Sequence, residues 1–445
     1  MLTSSPSDRK IPGRGKNVCE RLYEIVNLFD GWYRGLRRGV SALPKEGEYL
    51  YPFCVETKAA LILGGGGITG GMYELGALSA MDDFIVSGRK SGQFDLYVGI
   101  SAGSILAAFL ANGITVSEMC SAVLGKGNQG FFLRREDIYE LPLGNLFHFL
   151  GRSLRSIGSV VRHIKKSGQP VTFLNILAVL QQFLPAGFFS NANLERYVER
   201  TLSGEGRTND FRTVRKPLAI VATEIDTAER CIFGEGGRKD IPISKAIQAS
   251  TAIPVFFEPV LIEERYFVDG AAERVGHLDI PAAMGADLIV MINPIVPIYN
   301  DRSVVCIPTI AGQCGSLTER GVTAIAEQSF RVNSRVKLEL GALLFRADHP
   351  ETDLLMIEPS PAESSLFLYG SMNFTERVHS LNYGYNSSVY YFIENFDMLR
   401  ERFARHGMEV SLEHLAADRF PQQAVMPPGR HRFGPKRQIF AAPAR

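Results

Sequence analysis

Phe94-Asp95-Leu96-Tyr97-Val98, then Gly99-Ile100-Ser101-Ala102-Gly103, then Ile105-Leu106-Ala107-Ala108-Phe109-Leu110 is the stretch that decides the fold. The first run reads as a buried strand and the last as a helix. Between them lies G-x-S-x-G, the pattern of a nucleophile elbow. A serine on a sharp strand-to-helix turn is pushed out of the backbone, so Ser101 is the candidate nucleophile and its hydroxyl is expected to be exposed. The small residues Gly99, Ala102 and Gly103 let strand and helix approach closely. The helix N-terminus directs its dipole and unpaired N–H groups at any anion that forms there.

A second strand–glycine loop–helix unit lies upstream. Ala59-Ala60-Leu61-Ile62-Leu63 is an apolar strand that runs into Gly64-Gly65-Gly66-Gly67-Ile68-Thr69-Gly70-Gly71. A helix with Tyr73, Leu75, Ala77, Leu78 and Met81 follows. Gly65-x-Gly67-x-x-Gly70 fits G-x-G-x-x-G, a short pattern that a nucleotide-binding turn or a plain tight connection also satisfies. The nucleotide reading wants an acid about 20 residues on, whereas Asp82 and Asp83 fall nearer and end the helix. No Gly-Lys-Ser/Thr follows, which excludes a P-loop. With a serine elbow on the next strand, the N–H groups of Gly65, Gly66 and Gly67 are better used as an oxyanion hole.

A serine hydroxyl needs a base to take its proton, most often histidine. None of His148, His163, His277, His349, His379, His406, His414 and His431 stands at a strand end; His277 is nearest to the remaining motif. Asp269 does, after Tyr266-Phe267-Val268 and before Gly270-Ala271-Ala272. A carboxylate partly desolvated there has its pKa raised and can act as the base. The plainer reading is that Asp269-Gly270 is only a turn.

Taken together, the glycine loop, the serine elbow and Asp269-Gly270-Ala271 resemble the patatin-like phospholipases over roughly residues 59–297. Further matches are Gly187-Phe188-Phe189-Ser190-Asn191 before a helix, the strand and turn from Lys216 to Thr227, and Ala249 to Phe257 before the aspartate strand. Met284 to Val290 matches the exit after it. The resemblance implies a lipolytic acyl hydrolase with a Ser101–Asp269 dyad and no metal or other cofactor. Its substrate would be a lipid or phospholipid. The implied fold is α/β: a three-layer α/β/α hydrolase with a mostly parallel central sheet, a helical cap insertion and a helical C-terminal extension. Many members carry Arg or Lys where this chain has Thr69, so Thr69→Arg is expected to be tolerated. An acyltransferase or thioesterase with the same dyad, or a non-catalytic lipid-binding protein on the same fold, remain alternatives.

The rest of the chain frames this core. Residues 1–58 read as an N-terminal extension with a helix from Val18 to Gly39, and 59–297 as the catalytic domain with a cap at about 130–187. Residues 298–426 read as mainly helical, broken by a strand at Asp353–Pro359, with a last helix near Asn386 to His406. Residues 427–445 read as a basic, disordered tail. Forty-eight basic against 47 acidic side chains give a net charge of +1, which argues against nucleic-acid steering. The six cysteines form no C-x-x-C pair or metal spacing, consistent with reduced thiols in a cytoplasmic protein. No apolar leader follows Met1 and no run of 18 apolar residues occurs, so contact with lipid is expected to be peripheral. From Leu143 to Lys166 apolar residues recur at helical spacing opposite Arg152, Arg155, Arg162 and Lys165, which fits a packed cap helix or one lying on a membrane. Val171 to Leu184 is apolar nearly all round and reads as buried.

Overall fold

Each central strand sends alternate side chains into two different cores. In the strand Ala59–Leu63 (β1), Ala59, Leu61 and Leu63 join one apolar cluster and Ala60 and Ile62 another. This is the period of two expected of a strand covered on both faces. The computed structural model describes residues 57–126, 134–139, 166, 186–273, 276–300, 315–359, 370–416 and 419–420. The helix expected at 18–39, the stretch 143–166 (Lys166 excepted), the run 171–184 and the tail 427–445 lie outside the described residues.

After β1 come α1 (Gly67–Phe84), β2 (Ile85–Ser87), β3 (Leu96–Ile100), α2 (Ala102–Ala111), α3 (Val116–Val123) and a single turn α4 (Arg135–Ile138). Next are β4 (Gly187–Phe189), α5 (Ala192–Leu202), β5 (Leu218–Glu224), β6 (Arg230–Gly234) and α6 (Ile243–Ser250). Then follow β7 (Val255–Phe257), β8 (Val260–Ile262), β9 (Arg265–Asp269), α7 (Asp279–Ala283) and β10 (Leu288–Ile292). The described chain closes with α8 (Val322–Asp348), β11 (Asp353–Ile357), α9 (Arg377–Glu394), α10 (Phe396–Arg405) and β12 (Glu409–Val410).

The main sheet has the order β11-β10-β1-β3-β5-β9-β8, with β6 also paired to β5. Strands β11, β10, β1, β3 and β5 are parallel, as right-handed strand–helix–strand units require. The first face carries α1, α2, α5, α6, α9 and α10. The second carries α7 and α8 through Ile280, Leu338, Ala342 and Phe345. The molecule is thus a three-layer α/β/α fold. Helix α9 lies on α1, where Phe84 and Phe392 stack 4.4 Å apart and the Tyr385 hydroxyl donates to Asp83 at 2.8 Å. The stretch read as one helix from Asn386 to His406 is two. They meet at Asn395, whose side-chain amide donates to the Tyr391 carbonyl at 2.9 Å and diverts the backbone.

One feature of the register places the site. Val221 of β5 pairs with Ile100 of β3 on one side and Ile232 of β6 on the other. The next residue, Ala222, pairs with Asp269 of β9 and Cys231 of β6. Strands β3 and β9 therefore share one edge of β5. β3 leaves that edge at Ile100, and β9 arrives antiparallel and ends at Asp269 in the neighbouring position. The residue after Ile100 and the last residue of β9 meet end to end.

Candidate active site

Ser101 sits at the turn between β3 and α2 with φ 52° and ψ −133°, a left-handed φ that a residue with a Cβ adopts only under constraint. Two contacts impose it. Ser101 N–H donates to Ser250 Oγ at 2.9 Å, and Ser250 Oγ–H donates to the Val221 carbonyl at 2.6 Å. On the other side, Ser104 N–H and its hydroxyl both donate to the Ser101 carbonyl. Gly99 and Gly103 do what their spacing promised. A Cβ on Gly103 would lie 2.4 Å from the Leu63 carbonyl oxygen, so α2 could not pack on β1 with any larger residue. Ser250, the last residue of α6, was not singled out as a functional residue from sequence; a lone serine at a helix end carries no signal of its own.

Asp269 is 4 % exposed, and the Ser101 side chain lies close enough to its carboxyl to favour the ionised form. Oδ1 also accepts the Ala271 N–H at 2.9 Å, so Asp269 caps the turn Gly270–Ala272 and its side chain is held at the strand end. Burial pushes this carboxyl up from 3.8 to about 6, while the Ser101 side chain and the Ala271 N–H pull it down. Gly270 passes directly over β5, where a Cβ would sit 2.3 Å from the Val221 carbonyl oxygen. A serine hydroxyl neighbouring a carboxylate of that basicity can pass its proton to it once the two are in hydrogen-bond reach.

The glycine loop abuts this pair: a Cβ on Gly65 would come within 2.6 Å of Ser101 Cβ. Of the three glycines expected as oxyanion donors, Gly65 is engaged elsewhere, its N–H donating to Glu74 Oε1 at 2.8 Å. Gly66 and Gly67 have φ of 102° and 68°, and their N–H groups have no acceptor among the described residues. They stand at the N-terminus of α1, where the helix dipole favours an anion. Gly70 N–H donates back to the Gly66 carbonyl at 3.1 Å and closes the turn. Glu74 is fully buried on α1, and burial pushes its carboxyl well above the usual carboxylate range. Its other oxygen has no partner among the described residues. Thr69 is also fully buried, and its N–H donates to the Ser371 carbonyl at 3.1 Å. An arginine there would have to displace the packing that buries Thr69, which argues against the expected tolerance of Thr69→Arg.

Ser101 is 3 % exposed, not displayed at the surface. The elbow does project the side chain from the backbone, but helices roof it. It opens into a cavity of about 840 Å³, counting the part open to solvent. The lining is apolar apart from Ser101, Thr251 and Tyr197. Walls come from α1, α2, α3 and α5, with Ile138, Ile253, Phe257 and Met372 closing the sides. Met372 arrives from the C-terminal part of the chain, held by the Tyr139 hydroxyl donating to its carbonyl. No histidine lines this cavity among the described residues. His277 lies on the second face of the sheet, its Nδ1 3.3 Å from an Arg230 nitrogen, beside Leu338 and Phe345. No cluster of three or more His, Cys, Asp or Glu among the described residues could hold a metal ion, and no described helix is long and apolar enough to cross a membrane.

Comparison with known proteins follows the same lines. A protein of Invertebrate iridescent virus 6 named a probable lipid hydrolase is 22% identical over 238 residues, 52% of this chain and 66% of its own length. An uncharacterized protein of Acanthamoeba polyphaga mimivirus is 22% identical over 203 residues, 45% of this chain and 55% of its own. The chain thus spans between about half and two thirds of the length of the curated relatives it matches. Among solved structures, VipD from Legionella pneumophila superposes with a TM-score of 0.36 at 15% identity, over 75% of this chain and 66% of VipD. The type III effector protein ExoU of Pseudomonas aeruginosa gives 0.29 at 16% identity, over 75% and 52%. Both superpositions are loose. The sequence matches the patatin-like phospholipase family over residues 61–276, which hold the glycine loop, the Ser101 elbow and Asp269. Residues 61–276 of this chain therefore belong to the patatin-like phospholipase family.

Proposed function

We propose that this protein is a serine acyl hydrolase that cleaves carboxylic esters of lipids, with Ser101 as nucleophile and Asp269 as base. The observation that carries the reading is Ser101 on its strained turn, lining an apolar cavity and neighbouring the buried Asp269 carboxyl. The name of the viral relative, a probable lipid hydrolase, and the family match point the same way. Ser101 Oγ attacks the acyl carbonyl carbon and its proton passes to Asp269. The carbonyl oxygen becomes an oxyanion and takes the N–H groups of Gly66 and Gly67, each such donor being typically worth about 3–4 kcal/mol. The C–O bond to the leaving alcohol then breaks, and Asp269 returns the proton to that oxygen. Water enters, gives its proton to Asp269 and attacks the acyl-serine. On collapse Ser101 recovers the proton and the carboxylic acid leaves.

The cavity accepts the acyl chain, and the head group stays at its mouth. Peripheral contact with a membrane would bring the ester to that mouth. The test uses purified protein with a fluorophosphonate probe and a soluble p-nitrophenyl ester. Wild type should be labelled at Ser101 and hydrolyse the ester. Ser101→Ala should do neither while keeping its thermal transition. Labelling elsewhere, or activity that survives in Ser101→Ala, overturns the assignment. An acyl product found on an added alcohol, with little free acid, would make the protein a transferase instead.

A further inference from the structure

We propose that the acyl chain lies in the slot between α1 and α2 and that Phe109, with Tyr197 against it, sets how many carbons the slot encloses. This rests on the acyl hydrolase reading above. Both helices begin at the glycine loop and the nucleophile, so a chain esterified to Ser101 runs along the groove they share. The α2 residues that line the slot run from Ala102 to Phe109 at steps of three and four, one face of the helix. Seven steps of about 1.5 Å each make this wall about 10 Å long. The adjoining wall on α1, which touches α2 where Gly71 meets Ala102, runs from Gly67 to Leu75, eight steps or about 12 Å.

An extended chain with bonds of about 1.52 Å at angles near 111° advances about 1.25 Å per carbon. The slot therefore takes about eight carbons beyond the carbonyl. At its far end the Phe109 ring lies against Tyr197, centroids 6.4 Å apart, and Phe109 is the last α2 residue in the lining. Longer chains must leave the slot, and their further carbons gain no burial.

The experiment is a series of p-nitrophenyl esters from C4 to C16, each below its micellar concentration. For wild type kcat/KM should climb by up to about fourfold per added carbon, the worth of a buried methylene, and stop climbing near eight to ten carbons. The readout is the carbon number at that break, which a general loss of folded protein does not move. Phe109→Leu should shift the break to longer chains and Phe109→Trp to shorter ones. A break that stays put in both variants, or a wild-type profile that rises unbroken to C16, overturns the inference. Hydrolysis in wild type at some lengths with the wrong break condemns this inference alone. No hydrolysis at any length overturns the acyl hydrolase reading and this inference with it.

Discussion

Raising the pH should activate this protein and weaken its fold through one carboxyl. Burial holds Asp269 at about 6 against an ordinary 3.8. Below 3.8 it is neutral in the folded and the unfolded chain, and ionisation costs nothing. Between 3.8 and about 6 the unfolded chain releases the proton first, so stability falls as pH rises. Above about 6 the whole penalty is present, about two pKa units at about 1.4 kcal/mol each, or about 3 kcal/mol. Asp269→Asn cannot ionise and should escape it, because its amide oxygen still accepts the Ala271 N–H. Unfolding 445 residues carries an entropy of about 0.9 kcal/mol/K, so the variant should melt about 3 °C above wild type at pH 8. At pH 4 the difference should shrink towards zero. Wild-type kcat/KM on a short soluble ester should rise with pH and level off above about 6, while Asp269→Asn stays inactive by several orders of magnitude. Two assays decide it: calorimetry of both proteins from pH 4 to 8, and the wild-type pH–rate profile. A melting difference independent of pH refutes the burial penalty. A rate flat from pH 5 to 8 refutes Asp269 as the base.

Ser250→Ala leaves Ser101 N–H and the Val221 carbonyl buried without their partner, so it should cost about 1–3 kcal/mol of stability and lower kcat more than it raises KM. Unchanged denaturant midpoint and kcat would remove Ser250 from the elbow's support. Glu74→Gln keeps an acceptor for the Gly65 N–H and should retain most activity, whereas Glu74→Leu orphans that N–H and should lose about 1–3 kcal/mol along with turnover. Equal behaviour of the two in melting and activity assays would exclude the bond as the reason for Glu74. Gly66→Ala meets ordinary contacts and strains only the backbone, while Gly67→Ala drives a Cβ to 2.6 Å from the Ser371 carbonyl oxygen. Both should lose kcat, and Gly67→Ala should lose the more melting temperature; the reverse order would contradict the packing of Ser371 on the loop.

Local features were legible in the sequence, and pairings across the fold were not. β1, β3, β10 and the first five residues of β5 are buried on both faces and so read as apolar runs. Ser101 and the glycines declare themselves because a sharp turn tolerates few residue types. Asp269 could be read as a strand-end acid, yet nothing local says that β9 ends against β3. That follows from the register of Val221 and Ala222 on a third strand. Glu74 did leave a trace. It is the one acid among Met72, Tyr73, Leu75, Ala77 and Leu78 in a helix apolar on all sides, and such a residue must be buried and bonded. Ser371 and Met372, about 270 residues from the elbow, left none.

The failed expectation that Ser101 would be exposed bears directly on the chemistry. An elbow predicts projection from the backbone, and exposure depends on which segments roof the turn. Here α5, Ile253 and Met372 supply that roof from distant parts of the chain. Were the same dyad open to water, Asp269 would return toward 3.8 and lose about two units of basicity, with a matching loss of driving force for taking the serine proton. A histidine does not need this help, since its ordinary pKa is already about 6.5. A carboxylate does. On the proposed mechanism, the burial around the pair is what makes an aspartate an adequate base, and the roof's apolar inner surface is what an acyl chain would occupy. Loosening the roof at Met372, for instance with Met372→Gly, should lower the pH at which activity levels off as well as weaken binding of longer esters. A change in chain-length preference without any shift in the pH profile would show that the roof shapes the slot and leaves the base untouched.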